Sequence, residues 1–199
     1  MKLNKTKSET KRSIWIAVGA AVLAIILFNL ILQGIAQNRA KGLVTALQMI
    51  MPESTQVSPD ALPAEDPTTV TINDMPVCGE LLVPVLHVDT ALIEENSSNN
   101  LKKSPCLVSG SASGRDLVIA GGNYRSHLGK INTLIKGDTV MYCDMDGHLY
   151  LYDVETVDYA DRDNVPEVSD GGYDLSLFCV AANGSVKYAA RCTLCEPIE

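Results

Sequence analysis

Two stretches of the chain carry residue types that could do chemistry. In VIAGGNYRSHLGK, Val118 to Lys130, an apolar run stops at Gly121 and Gly122 and is followed by Asn123, Tyr124, Arg125, Ser126 and His127. In LSLFCVAANGSVKYAARCT, Cys179 lies inside an apolar run and Lys187 follows a turn-like Ala-Asn-Gly-Ser. A thiolate can attack a carbonyl carbon while an imidazole moves the proton. Cys179 as nucleophile with His127 as base is therefore one candidate pair. It needs a local bulge that turns Cys179 toward the imidazole.

Other sites fail on spacing. Gly122 and Gly129-Lys130 are separated by six residues and followed by Ile131, so this is not the phosphate loop GxxxxGK[ST]. Asp144-Met-Asp146-Gly147 lacks the rest of an EF-hand loop and reads as a turn. Asp161, Asp163 and Glu167, with Asp170, crowd one loop and form a calcium candidate against the plainer reading of a solvated acidic loop. Cys192-Thr-Leu-Cys195 has zinc-like spacing but no second pair, and the three histidines are scattered, so no metal site and no cofactor is expected there.

The elements that position these residues follow from composition. Residues 1–13 carry Lys2, Lys5, Lys7, Lys11 and Arg12 against Glu9 and read as a cytoplasmic basic tail. The uncharged run IWIAVGAAVLAIILFNLILQ opens a transmembrane anchor over residues 14–35, since twenty residues at 1.5 Å each span about 30 Å. Lysines favour the cytoplasmic side, so one pass places the remainder in the cell membrane's outer space, with the N-terminus inside. Residues 36–75 are expected to be a juxtamembrane helix followed by a stalk, because PESTQVSPDALPAEDPTTVTINDM is rich in Pro, Ser, Thr and acid. Residues 76–199 then form the globular domain. Beyond Lys41, nine Lys and Arg face 23 Asp and Glu, a net charge of −14, which argues against nucleic acid as a partner. The six cysteines at 78, 106, 143, 179, 192 and 195 are expected to form one or two disulfides or to be buried thiols.

Within 76–199 the pattern is mostly strand. Leu81–Val88 is apolar around Pro84, and Asp116–Ala120 is a short buried run. Asp138–Cys143 and His148–Val157 flank an Asp-Gly turn signal, and Leu175–Ala181 and Val186–Thr193 flank Ala-Asn-Gly-Ser. One short helical piece fits between Ser126 and Ile135. Many short strands with turn signals imply an all-β barrel or sandwich.

VIAGGNYRSHLGKINTLIKGDTV resembles the central segment of sortases, the membrane-anchored cysteine transpeptidases of Gram-positive bacteria. GELLVPVLHVDTALI is similar to that family's first strand and LSLFCVAANGSVKYAARCTL to its last two, so the resemblance covers roughly residues 79–194. It implies a closed eight-stranded β-barrel with short helices behind one N-terminal transmembrane helix. It also implies three catalytic roles: a cysteine that attacks a sorting signal, a histidine that moves the proton, and an arginine that steadies the oxyanion. The histidine position is Gly122, and His127 matches a second, non-catalytic histidine. The cysteine position is Val180, with Cys179 one place early. The arginine position is Lys187, which keeps a charge but loses the planar fork. A one-residue slip would restore a cysteine only by turning the whole strand over.

With all three roles altered, the resemblance implies a pseudosortase that binds without cutting. The partners it implies are a sorting-signal peptide, a surface or pilin-like protein, or an active sortase. The rival readings are an enzyme built on Cys179 and His127, and a purely structural membrane-anchored module.

Overall fold

The computed structural model describes Leu23 and residues 43–63, 68–159 and 172–196. The expected tail 1–13, the expected anchor 14–35 apart from Leu23, and the calcium candidate Asp161, Asp163 and Glu167 lie outside the described residues. Among the described residues, no helix is long and apolar enough to cross a membrane. The chain divides into a unit of residues 1–35 and a unit of residues 36–199. Everything below concerns the second.

Residues 43–48 are helical (α1). Ten strands follow: β1 (Thr55–Gln56), β2 (Val70–Ile72), β3 (Met75–Val83), β4 (Val88–Ile93), β5 (Cys106–Ser109), β6 (Leu117–Gly122), β7 (Thr139–Asp144), β8 (His148–Tyr159), β9 (Leu175–Val180) and β10 (Val186–Leu194). Eight of them close a ring in the order β3-β4-β5-β6-β9-β10-β8-β7 and back to β3. The closed eight-stranded barrel expected from the sequence is present. Strands β1 and β2 are added outside the ring, on β8 and β3.

Local chemistry explains the joints. The expected strand Leu81–Val88 is broken, because Pro84 has no N–H to give a ladder and instead starts a 3₁₀ turn over Pro84–Leu86. The β7–β8 turn is tied by Asp144, whose buried carboxylate accepts the backbone N–H groups of Asp146 (3.0 Å) and His148 (2.9 Å). Gly147 there has φ +87°, a conformation that suits glycine. The β9–β10 hairpin closes through the Ala181 N–H to the Ser185 carbonyl (2.8 Å), with Gly184 at φ +84°. The single helical piece expected between Ser126 and Ile135 is a 3₁₀ turn at Ile131–Thr133.

The stalk expectation is corrected in part. The backbone N–H of Thr55 donates to the Gly147 carbonyl and that of Val57 to the Leu149 carbonyl, while Val57 is buried in the barrel's interior cluster. Thr68 binds Asp146 through both its N–H and its hydroxyl. Composition understates this segment because it borrows its hydrogen bonds and apolar cover from the barrel edge rather than from itself.

The barrel interior is filled by Leu81, Ile119, Leu128, Tyr142, Tyr150 and Leu177, among others. The Tyr142 and Tyr150 rings stack at 5.9 Å, and the Tyr142 hydroxyl donates to the Cys78 carbonyl (2.7 Å). All six cysteines are free thiols, and five are buried; of the two sequence expectations, the thiols hold. The end of the ring where β6, β9 and β10 start or finish is held by Asp174. It takes a two-pronged pair of bonds from Arg115 (2.7 and 3.2 Å) and the Leu194 backbone N–H (2.7 Å), while its own carbonyl accepts Leu117 N–H. Replacing Asp174 by Ala strands a buried N–H and should cost about 2–3 kcal/mol in urea unfolding. The exposed pair Lys136–Glu155 is the control, and Lys136→Ala should leave the midpoint unchanged.

Candidate functional site

Strands β6 and β9 run parallel without a register break from Leu117↔Leu175 to Gly122↔Val180. Both apolar runs identified in the sequence therefore end side by side. Their last pairs are Gly121 with Cys179 and Gly122 with Val180, and the Asn123 N–H then donates to the Val180 carbonyl (3.1 Å). Alternation does the rest. Leu177 and Cys179 point into the barrel's interior cluster, whereas Phe178 and Val180 belong to an outer cluster with Val118, Ala120 and Ala189.

The outer face carries a groove made of two adjoining depressions. One, of about 240 Å³, is lined by Leu101, Lys102, Gly122, Asn123, Tyr124 and Val180. The other, of about 350 Å³, is lined by Ser97, Leu101, Val108, Phe178, Val180 and Val186. Val180 and Leu101 are walls of both. The character is apolar, with hydroxyls and Lys102 at the rim.

At Gly122 the space a side chain would need is already taken. A Cβ there would lie 2.7 Å from the Leu101 carbonyl oxygen and 2.7 Å from a ring carbon of Tyr124. The Tyr124 ring thus covers the site beside Val180, a role the sequence reading did not assign to it. Lys187 is exposed beside a bulge between Val186 and Tyr188, and its charge acts on the Cys179 thiol.

Cys179 and His127 are not brought together. The Cys179 thiol is fully buried, and burial pushes it up to about 11, with Lys187 opposing. Its S–H points at the Asn123 side-chain oxygen (3.7 Å). His127 is fully buried too; its Nε2 bonds the Lys103 carbonyl (3.2 Å), and its ring meets Tyr124 edge-on at 5.2 Å. Its Nδ1 has no hydrogen-bond partner among the described residues, and burial pushes the imidazole down to about 4. No hydrogen bond joins His127 to Cys179 among the described residues. The bulge on β10 falls at Val186/Tyr188, not on β9, so nothing turns the thiol outward.

A second residue missed in the sequence is Arg191. It is buried on the outer face, where Nη1 donates to the Ser176 hydroxyl (2.8 Å) and the guanidinium lies 5.0 Å from the Phe178 ring centre. Its Nε also lies 3.7 Å from Asp158. Parity with Ala189 was the available signal: both share the Phe178 face of β10. Among the described residues, no cluster of His, Cys, Asp and Glu could hold a metal.

A closed eight-stranded barrel with a groove over the ends of two parallel strands defines the class of protein. A sequence profile of the sortase domain matches residues 81–191, more than half of the chain. The chain belongs to the sortase family. No curated protein sequence matches it. Among solved structures it is similar to sortase A from Corynebacterium diphtheriae, with 13% identity, a TM-score of 0.54 and coverage of 79% of this chain and 85% of that one. Sortase C-1 from Actinomyces oris gives 16% identity and a TM-score of 0.51 over 60% and 74% of the two chains. Sortase C from Clostridium perfringens, solved with the C-terminal cell wall sorting motif, gives 16% and 0.50 over 61% and 71%. At such identities the likeness shows the fold.

Burial of His127 makes a pH prediction. Its folded value of about 4 lies below the usual 6.5, so the unfolded chain binds more protons between the two. The stabilisation from keeping this ring neutral is complete above pH 6.5 and is lost as pH falls toward 4. Unfolding free energies of the native chain and His127→Asn should therefore converge by on the order of 2 kcal/mol from pH 7 to pH 4. A constant difference would contradict the assignment.

Proposed function

We propose that this chain is a non-catalytic member of the sortase family that binds an extended peptide of the sorting-signal kind in the outer groove and does not cleave it. The observation that carries the reading is Val180. It stands at the end of β9, opposite Gly122 and facing the groove, where the family's nucleophile belongs, while the groove around it stays open. The family's base and oxyanion roles fall on Gly122, which has no side chain, and Lys187, which lacks the guanidinium fork. Binding and bond-breaking draw on partly different contacts, so losing the catalyst leaves a receptor intact. The buried, protonated thiol of Cys179 favours this reading over catalysis by that residue, because the thiolate is the nucleophile. In this reading a single-pass N-terminal anchor over residues 14–35 presents the barrel outside the cytoplasm. The peptide is then the tail of a surface or pilin-like protein, or the chain serves an active sortase that shares the membrane.

The test incubates the full chain in detergent micelles with sorting-signal peptides and a thiol-directed probe. Affinity and cleavage are followed together. Binding without cleavage is expected, unchanged in Cys179→Ala. Placing a charge in the wall shared by both depressions, in Val180→Glu, should weaken binding at least tenfold. Cleavage that disappears in Cys179→Ala would establish a working enzyme instead, and absence of binding to any peptide would leave a structural or partner-docking module.

A further inference from the structure

Charge is not spread evenly over this barrel. Residues 96–137 and 175–195 hold all eight lysines and arginines among the described residues, and one acid, Asp116. The other fifteen described Asp and Glu lie outside these two stretches. Every residue that lines the two depressions of the groove belongs to them. Asp116 precedes β6, whereas the groove lies toward that strand's other end, and Glu95, just before the first stretch, lines neither depression. An acidic domain thus builds its groove from its basic segments.

Ion pairing divides these cations further. Arg115 lies 2.7 Å from Asp174, Lys136 pairs with Glu155, and Arg191 lies 3.7 Å from Asp158. Lys102, Lys103, Lys130 and Lys187 form no ion pair among the described residues. Two of these four adjoin the groove walls. Lys102 follows Leu101 and itself lines the first depression, while Lys187 follows Val186, a wall of the second. Both are exposed. The domain has carboxylates to spare, yet none neutralises these two lysines.

At physiological salt a charge is screened over about 8 Å. The adjoining lysines therefore set the field inside the groove, and the acids elsewhere on the domain count for little there. The walls of Leu101, Phe178 and Val180 suit an apolar side chain, and by excluding water they strengthen any pairing with a lysine. A long nucleic acid or a flat anionic membrane would run past the groove onto surface that repels it. A short anionic segment meets only the basic part.

We propose that the groove selects acidic peptides: an apolar side chain seats on Leu101, Phe178 and Val180, and carboxylates on either side of it pair with Lys102 and Lys187. This rests on the receptor reading above and names the chemistry of its ligand. Lys187 lacks the fork that an arginine would bring, but an ammonium is a point charge and needs no planar geometry to meet a carboxylate. The same substitution that removes a catalytic role thus leaves a ligand contact.

The test uses the full chain in detergent micelles and three labelled peptides with a common apolar core. They differ only at two flanking positions, which carry Glu, Gln or Lys, and affinity is read by fluorescence anisotropy. An exposed ion pair is worth about threefold in affinity, so the Glu peptide should bind about tenfold tighter than the Gln peptide at low salt. The Lys peptide should bind more weakly than either, and added salt should narrow the gaps. Lys102→Gln and Lys187→Gln should each cost the Glu peptide about threefold and leave the Gln peptide unchanged. Lys136→Gln, whose lysine is already paired with Glu155, should change neither. Equal affinity for the Glu and Gln peptides, or a preference that survives both lysine substitutions, would overturn the acidic selectivity while the receptor reading stands. Failure of all three peptides to bind would overturn both. A single-stranded oligonucleotide or a phosphatidylserine vesicle bound as tightly as the Glu peptide would overturn the assignment to peptides.

Discussion

The parallel pairing of β6 with β9 is the constraint on which the site depends. Six successive partners match without a bulge, from Leu117↔Leu175 to Gly122↔Val180. Both neighbouring ladders of β9 and β6 have irregularities, at Val186/Tyr188 and at Leu107/Ser109, but the central one has none. In such a pair the facing of every side chain is decided together, and a single-residue slip would exchange the interior and exterior sets. Leu177 and Cys179 fill the barrel while Phe178 and Val180 face out. Burying Leu177 and burying a thiol are thus one choice, and the same choice puts a valine at the head of the groove.

On the reading proposed above, this pairing lets the frame of the site stand without its catalyst. The frame is maintained by interactions away from the groove: the Asp174–Arg115 pair at the opposite end of β6 and β9, and the apolar interior. None of these uses the side chains at positions 122, 180 and 187. Gly122 is itself locked by its surroundings, since the Leu101 carbonyl and the Tyr124 ring occupy the volume of any side chain there. His127, which looked reactive in the sequence, is a packing residue held between the Lys103 carbonyl and Tyr124. On the reading proposed above, selection on binding would preserve the groove walls with no demand on the reactive atoms.

A second outer face, that of β2, β3 and β4, is covered by α1. There Leu43 and Leu47 pack on Ile72, Val77, Ala91 and Met145, and the Gln48 amide donates to the Glu80 carboxyl at 3.0 Å. The groove and this covered face lie on different strands, so one can vary while the other stays as it is.

Much of this was legible in the residues. The Asp-Gly turn of β7–β8 and the Ala-Asn-Gly-Ser turn of β9–β10 are local signals, and the hairpins form where those turns stand. The alternation of LSLFCV likewise announced that Cys179 and Val180 face opposite ways, because strand periodicity is a property of consecutive residues. Other features needed the assembled fold. Pro84 divides one apolar run into two strands, and the stalk orders on a barrel edge that lies far away in sequence. Tyr124 covers Gly122, Arg191 lies over Phe178, and Gln48 donates to Glu80. The sequence by itself determined where the hairpins turn and which side chains of a strand share a face, since each of these depends on neighbours along the chain. The tertiary structure alone decided what those faces meet: burial and volume arise between residues that only the closed ring brings together.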